Sequence, residues 1–517
     1  MTTRHLARAG MVVTAAFLAS RVLGWVRIVV IGNLFGARAD LDAYFAAFRI
    51  PDLIYQLAAA GALASALIPV LAALLQNGED ARAWRVTSSV INLMLLALLT
   101  GSILMAIFAP IVVPILVPGF DVVTTEETIK LTRIMLLAPI LLALGSVASS
   151  VLNTQGRFGA AAVAPLLYNA FIIVCAIVLS PFMGIDSLAV GVVIGAFAHV
   201  AVQLPSLRNR FQYDLTLDLH DPATRQALLL MAPRAIGLGV NQVTFIVNTT
   251  LATGLGVGAV VAYNIAFNVL QIPIGVIGVP IGVVLLPSMS RAIAAGMIKE
   301  FGSLVQQSLR LLLYVTIWIT LVGIVLRRET VLLLFGGGFD EQALEMTSNT
   351  LLFFLLGLPA NCLNVVLARA FYSGRDTRTP VTVAVLSVGV NVVVSVLTVG
   401  SMGLAGLALG IAIGGWFDTI ALSFILWHRA HAIQIRGIVG GTVIFTVGSV
   451  LSALTTLAVV HFGVPIWGPT PGRLGLLGEM IVGTGAAGLI YLLYSRLMRI
   501  PEMSRTLGMI RAELRRG

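Results

Sequence analysis

Six charged or amide side chains near the N-terminus stand in otherwise apolar stretches. They are Arg21, Arg27, Asp42, Arg49, Asp52 and Gln56. A charge in the middle of a membrane costs roughly 2.5–3.5 kcal/mol on insertion scales, so each should face a wet cavity or a partner. The six residues are therefore the candidates for a polar site that binds a charged substrate.

Helical spacing separates the first two arginines. Arg21 and Arg27 are six residues apart, which in a helix means about 9 Å along the axis and roughly 120° around it. They do not share a narrow stripe, although both could border one wide cavity. Gly24 lies between them and allows close packing there.

The next stretch predicts a polar stripe. Asp42, Arg49 and Gln56 recur at seven-residue intervals, hence on one face of a helix, with Asp52 within about 60° of Arg49. Pro51 lacks an N–H and so frees a backbone carbonyl in the same helix. Two interpretations stay open: the stripe lines a cavity, or Arg49 only pairs with Asp42 or Asp52.

The elements that hold these residues are transmembrane helices. Of 517 residues, 58% are hydrophobic and 10% charged, whereas soluble domains carry about 25% charged residues. Apolar runs long enough to cross ~30 Å of hydrocarbon recur along the chain. The fold class is an all-α polytopic membrane protein of about fourteen spans, near 9–34, 42–75, 86–116, 128–152, 163–181, 187–206, 227–253, 258–286, 305–326, 347–371, 381–400, 404–427, 437–461 and 474–496.

Charge in the short connections predicts the orientation. One set of loops is rich in arginine, for example Arg82, Arg208 and Arg429, and the opposite set collects acids such as Asp121 and Asp340. Basic loops stay in the cytoplasm, so both termini are expected inside the bacterial inner membrane. The basic tail 497–517 is either an amphipathic helix on anionic lipid or a solvated tail.

The two halves of the chain resemble each other. Tyr44-to-Phe48 matches Tyr263-to-Phe267 at an offset of 219, and Gly156-Arg157 matches Gly374-Arg375 at 218. The offset covers six spans, an even number, so we expect two parallel six-helix lobes around a central cavity. The expected divisions are 1–206, an inter-lobe linker 207–226, 227–428, two extra helices 429–496, and the tail.

Other classes of function find little support. The basic residues do not interleave with aromatics on an exposed face, which argues against nucleic-acid binding. Cys175 and Cys362 lie far apart in apolar segments, so neither a disulfide nor a metal site is expected. No catalytic residues, cofactor or paired carboxylates are indicated, and the chain is expected not to be an enzyme.

Three blocks of sequence make the chain resemble the MurJ/MviN family. They are Ser20 to Gly61-Ala62, with Arg21, Arg27, Asp42 and Arg49-Ile50-Pro51; Ala262-Tyr263 to Leu286-Pro287-Ser288; and Ala370-Phe371-Tyr372-Ser373 to Thr379-Pro380. The resemblance covers nearly the whole chain. It implies flipping of lipid II, the undecaprenyl-diphosphate-linked peptidoglycan precursor, with membrane lipids and cell-wall synthesis proteins as further candidate partners.

The resemblance also supplies site residues and shows departures. Arg21, Arg27 and Asp42 occupy family cavity positions, and arginine suits a diphosphate because its planar fork engages phosphate oxygens. Where relatives often carry an arginine, this chain has Tyr55 and Gln56, and in span eight Asn268. The alternatives are therefore a flippase for another undecaprenyl-linked glycan, a cation-coupled drug exporter of the same superfamily, and a non-transporting scaffold.

Overall fold

The computed structural model describes residues 3–58, 62–208, 212–430, 435–467 and 472–504. These residues form helices joined by short connections, with no strand among them. The expected all-α architecture is therefore confirmed. The basic tail from 505 onward lies outside the described residues.

The first compact unit covers Met1–Val261. Its helices are α1 (Thr3–Phe35), α2 (Ala39–Ala47), α3 (Arg49–Ala58), α4 (Ala62–Gln76), α5 (Asp80–Leu116), α6 (Val122–Met135), α7 (Leu137–Thr154), α8 (Phe158–Met183), α9 (Asp186–Ala201), α10 (Leu204–Leu207), α11 (Pro222–Thr253) and the start of α12 (Ala259–Pro273). Helix α11 packs against α3, α4 and α5.

The second compact unit covers Ala262–Gly517. After α12 and a π-helical turn at Ile274–Gly278 come α13 (Val279–Ala294), α14 (Ile298–Val325), α15 (Arg327–Phe335), α16 (Glu341–Leu356), α17 (Leu358–Ser373), α18 (Arg378–Met402), α19 (Leu404–Ala430), α20 (Ile435–Trp467) and α21 (Arg473–Leu497). The boundary falls inside α12 rather than in the linker 207–226, so the division into functional lobes stays a prediction.

The number of spans agrees with an approximate count of fourteen. Eleven of the described helices or helix pairs are long and apolar enough to cross a membrane, and the pair α16–α17, bent by 43°, makes a twelfth. The two remaining predicted spans coincide with α2–α4 and with α11. The first of these is divided into three helices, each too short to cross a membrane alone.

Hydroxyl groups satisfy carbonyls where the spans break. Pro51 cannot donate to the carbonyl of Ala47, and that oxygen accepts a hydrogen bond from Thr132 Oγ1 at 3.5 Å. In the second unit Pro359 frees the carbonyl of Leu355, which accepts from Thr320 Oγ1 at 3.2 Å. The freed carbonyl predicted at Pro51 is confirmed, and the breaks leave neither oxygen unpaired.

Local backbone features repeat between the halves and confirm the internal repeat. Three turns with positive φ recur: Gly78 and Gly296 (75° and 70°), Gly184 and Gly403 (56° and 58°), and Gly156 and Arg375 (72° and 61°). In the last pair the structure places the turn one residue beyond Gly374, the glycine that the sequence match had paired with Gly156. Asp121 and Asp340 each accept a hydrogen bond from a backbone N–H in the first turn of α6 and α16 respectively. The sequence offset therefore reflects a repeated local structure.

Candidate functional site

One polar cluster forms where α3 meets α11. Arg49, the first residue of α3, donates through Nε to Thr249 Oγ1 at 2.9 Å. Its guanidinium lies over the ring of Phe245, 5.1 Å from the ring centre. Asp52 accepts from Gln242 Nε2 at 2.8 Å.

The cluster also contains Gln56, which hydrogen-bonds to Asp52, while Arg49 attracts the same carboxylate electrostatically. The predicted face is therefore confirmed from Arg49 to Gln56. We call Arg49, Asp52, Gln56, Gln242 and Thr249 the α3–α11 cluster. An arginine, a carboxylate and three neutral polar groups can hold a polar headgroup through charge and hydrogen bonds.

Asp42 lies outside this cluster because the helix is interrupted. Helix α2 ends at Ala47 and α3 begins at Arg49, so the seven-residue stripe does not continue back to Asp42. Its side chain is buried (1% exposed), and its two oxygens accept from the backbone N–H groups of Gly258 at 2.5 Å and Val261 at 2.7 Å. A carboxylate at this place caps the N-terminus of α12.

The backbone at Gly258 is built for this contact. Its φ is +82°, which favours glycine, and a Cβ atom there would lie 2.7 Å from the carbonyl oxygen of Ala37. The charged neighbour of Asp42 is Asp40 rather than Arg49. Of the two acids considered as partners for Arg49, the structure thus brings only Asp52 close to it.

Arg27 lies on α1 and shares a neighbour, Tyr168, with Asp52 of the α3–α11 cluster. It is half-buried and close enough to Tyr44 and Tyr168 to act on them electrostatically. Helix α1 packs on α8 here, and Gly24 faces the side-chain amide of Asn169. Among the described residues no hydrogen bond or ion pair of Arg27 is present.

Arg21 lines a cavity of its own. It is exposed and borders a space of about 670 Å³. Helices α1, α4, α7 and α8 form the walls, and the lining residues include Ile68, Ser149, Asn153 and Phe158. Arg21 and Arg27 thus occupy separate surroundings, as their helical spacing predicts.

Asn268 belongs to the second unit. It is half-buried, and its Nδ2 donates to the carbonyl of Asn264 in the same helix at 2.8 Å. An amide that bonds to its own helix carries no charge for a phosphate. Asn268 can therefore contribute hydrogen bonds to a substrate, but not the positive charge of an arginine.

The sequence alone did not single out Gln242, Phe245 and Thr249 as site residues. Their spacing on α11 mirrors that of Arg49, Asp52 and Gln56 on α3, which is the signal that could have paired the two faces. It also did not foresee that Tyr55 contacts Ser146 through its hydroxyl at 3.0 Å. That contact ties α3 to α7.

Comparison with known proteins places the chain in a family. Residues 31–476 match the family described as lipid II flippase MurJ. The probable lipid II flippase MurJ of Rhizobium tropici is 28% identical over 98% of this chain and 96% of its own length. The lipid II flippase MurJ of Burkholderia cenocepacia is 30% identical over 81% of this chain and 83% of its own.

Solved structures agree on the fold. A lipid II flippase MurJ in an inward closed conformation matches with a TM-score of 0.80 at 22% identity, covering 94% of this chain and 99% of that one. An inward-facing multidrug resistance transporter of the MATE family matches less well, with a TM-score of 0.64 at 16% identity over 80% of this chain and 94% of that one. With the family match extending over most of its length, the chain belongs to the lipid II flippase MurJ family of multi-pass membrane proteins.

Proposed function

We propose that this protein moves lipid II from the cytoplasmic to the outer leaflet by alternating access, with no catalytic step. Membership of the family over residues 31–476 is the observation that carries the proposal. The half-buried Arg27, with no partner among the described residues, and Arg21 at its cavity supply cationic groups on one span. A diphosphate needs such groups, and the polyprenyl tail can remain in lipid.

The α3–α11 cluster would serve the polar headgroup. Arg49 is held by Thr249 and Phe245, so its guanidinium is positioned before a substrate arrives, which lowers the cost of ordering on binding. Gln56 and Asp52 add hydrogen-bonding groups on the same face. Asp42 supports the site indirectly by holding the start of α12.

A second candidate is a flippase for another undecaprenyl-linked glycan. Gln56 and Asn268 are neutral at positions where relatives often carry arginine, and both bond within the protein. Fewer cationic groups would bind a less highly charged linkage. The match to a MATE transporter, at 16% identity, shows a shared fold and does not favour a drug exporter.

The decisive experiment is rescue of a cell depleted of its own lipid II flippase. Growth restored by this chain, with purified protein binding lipid II in preference to other undecaprenyl-linked glycans, is the expected result. Failure to rescue at normal membrane levels, together with preferential binding of another glycan, would assign the second candidate instead. Arg27→Ala at unchanged abundance provides the matched inactive control.

A further inference from the structure

Residues 213–219, here called the strap, run in an extended path along α5 before α11 begins. The backbone N–H groups of Asp214 and Asp218 donate to Ser88 Oγ at 3.0 Å and to Ser89 Oγ at 3.1 Å. Asn92 Nδ2 donates to the carbonyls of Asp214 at 3.1 Å and Thr216 at 2.8 Å. Side chains of one helix therefore satisfy the backbone of the strap, which forms no ladder with another strand.

The strap alternates apolar and polar residues, and its apolar side chains are exposed, which is the reverse of the pattern in a soluble protein. Every second side chain is apolar or aromatic: Tyr213 is half-exposed and its hydroxyl donates to Asn92 Oδ1 on α5 at 2.5 Å, whereas Leu215, Leu217 and Leu219 are 86%, 52% and 48% exposed. The intervening positions carry the polar residues. Three exposed leucines at alternate positions are unfavourable in water, because burying apolar surface is favourable.

The strap lies near one boundary of the hydrocarbon layer. The exposed apolar side chains of α5 run from Leu96 to Ile115, about 28 Å at 1.5 Å per residue, which is close to the thickness of a ~30 Å hydrocarbon core. Asn92 and Ser88, which hold the strap, lie only about 6 and 12 Å beyond Leu96 along the same helix.

The surroundings fit lipid rather than water or protein. Leu96 and Leu99, on the same helix just beyond Asn92, are 53% and 43% exposed and belong to a span that faces hydrocarbon. The apolar face of the strap continues that surface. Irregular backbone is tolerated at this depth only where its polar groups are satisfied within the protein, and the serines and the asparagine of α5 do this.

The charges around the strap fit an anionic lipid surface. Arg85, Arg208 and Arg225 are exposed at the same end of the first unit, and basic residues near a membrane surface attract anionic headgroups. Arg82 is held by Asp221 at 2.8 Å, directly after the strap. By the predicted orientation this end is cytoplasmic.

We propose that the strap is a lipid-binding surface: its leucines insert into the inner leaflet while α5 holds its backbone. The proposal depends only on the protein being in a membrane, and not on which lipid-linked substrate it moves. Lipid insertion of this connection would fix the height of α11 in the bilayer, because α11 starts immediately after it.

Nitroxide labels on single cysteines test the proposal in the full-length protein in nanodiscs of phosphatidylethanolamine and phosphatidylglycerol. Labels at Leu215→Cys and Leu217→Cys should relax faster with oxygen than with a water-soluble nickel chelate, as a label at Leu96→Cys does. A label at Asn77→Cys, exposed in the α4–α5 loop, should show the opposite preference. Cys175 and Cys362 are buried and give little background.

The opposite outcomes would overturn the proposal. A label at Leu215 that behaves like Asn77 would place the strap in water. One that neither reagent reaches would show a protein partner or a second copy over it. Asn92→Ala provides a further check, since losing its three hydrogen bonds to the strap should move the Leu215 label toward nickel accessibility, whereas Thr446→Ala, on an exposed helix position of the second unit, should leave it unchanged.

Discussion

At the scale of single residues, the surroundings of each side chain separate residues placed for binding from residues that hold the structure. Arg27 lacks a hydrogen-bonded partner among the described residues, whereas both carboxylate oxygens of Asp42 accept hydrogen bonds from backbone N–H groups. Both residues matched family positions in the sequence. Composition and spacing could not tell them apart, because the partners of Asp42 lie 216 and 219 residues away.

Arg49 offers a test of the two interpretations of the polar stripe. If Arg49 binds substrate, Arg49→Ala should keep membrane abundance and lose binding of the lipid-linked substrate, and Arg49→Lys should restore binding only in part because lysine lacks the planar fork. Abundance by immunoblot and binding by native mass spectrometry are the measurements.

The paired variant decides the alternative. If Arg49 serves only to neutralise Asp52, then Arg49→Ala should lower abundance and Arg49→Ala with Asp52→Asn should restore it, since the uncompensated buried charge is gone. Intact binding in that double variant would remove Arg49 from the site.

Asp42 should respond as a structural residue. Asp42→Ala leaves two backbone N–H groups at the start of α12 without their acceptors, each costing about 1–3 kcal/mol when buried. We expect a lower melting temperature in detergent, with substrate affinity changed little in the protein that remains folded. A loss of affinity at an unchanged melting temperature would instead make Asp42 a direct ligand.

At the scale of helices, periodicity predicted the spans well and their pairing poorly. The runs at 163–181, 381–400 and 404–427 fall within α8, α18 and α19, because long apolar stretches determine helices locally. The sequence also located the interruption near Pro51. The contact of α3 with α11 depends on which helix faces fold together, and neither Gln242 nor Thr249 has a local signature.

The contact between Arg82 and Asp221, just before α11, should depend on pH. Hydrogen bonds from Arg82, and then from the backbone of Ala223, lower the pKa of Asp221. The pKa of Asp221 is therefore lower in the folded protein than in the unfolded chain, where it is near 3.9. The contact between Arg82 and Asp221 is intact above that value and is lost as the pH falls through the folded pKa. A label beside Asp221 should keep one spectrum from pH 8 to pH 5 and gain mobility only below about pH 4.

A control variant isolates the cause. In Arg82→Gln the cationic partner is gone, so the pKa of Asp221 should return toward its ordinary range and the change in mobility should begin at higher pH. An identical pH profile in this variant and the parent would show that Arg82 does not hold the connection.

At the scale of the whole molecule, orientation is the property that most needs measurement. Single cysteines near Arg82, Arg208 and Arg429 should be shielded from a membrane-impermeant thiol reagent in intact cells. Cysteines near Asp121, Asp186 and Asp340 should be labelled, because loops poor in lysine and arginine lie outside. Permeabilised cells provide the control for reactivity, and the reverse pattern of labelling would invert the proposed direction of transport.

The turns with positive φ that recur between the two halves bear on the origin of the internal repeat. Gly184 and Gly403 differ by 2° in φ, although little sequence identity remains around them. Duplication of an ancestral six-helix segment would account for such agreement. At the third pair of turns the first half has Gly156 and the second has Arg375 at φ 61°, a conformation that costs a non-glycine residue about 1 kcal/mol. At these turns the path of the backbone therefore agrees between the halves even where the residue type does not.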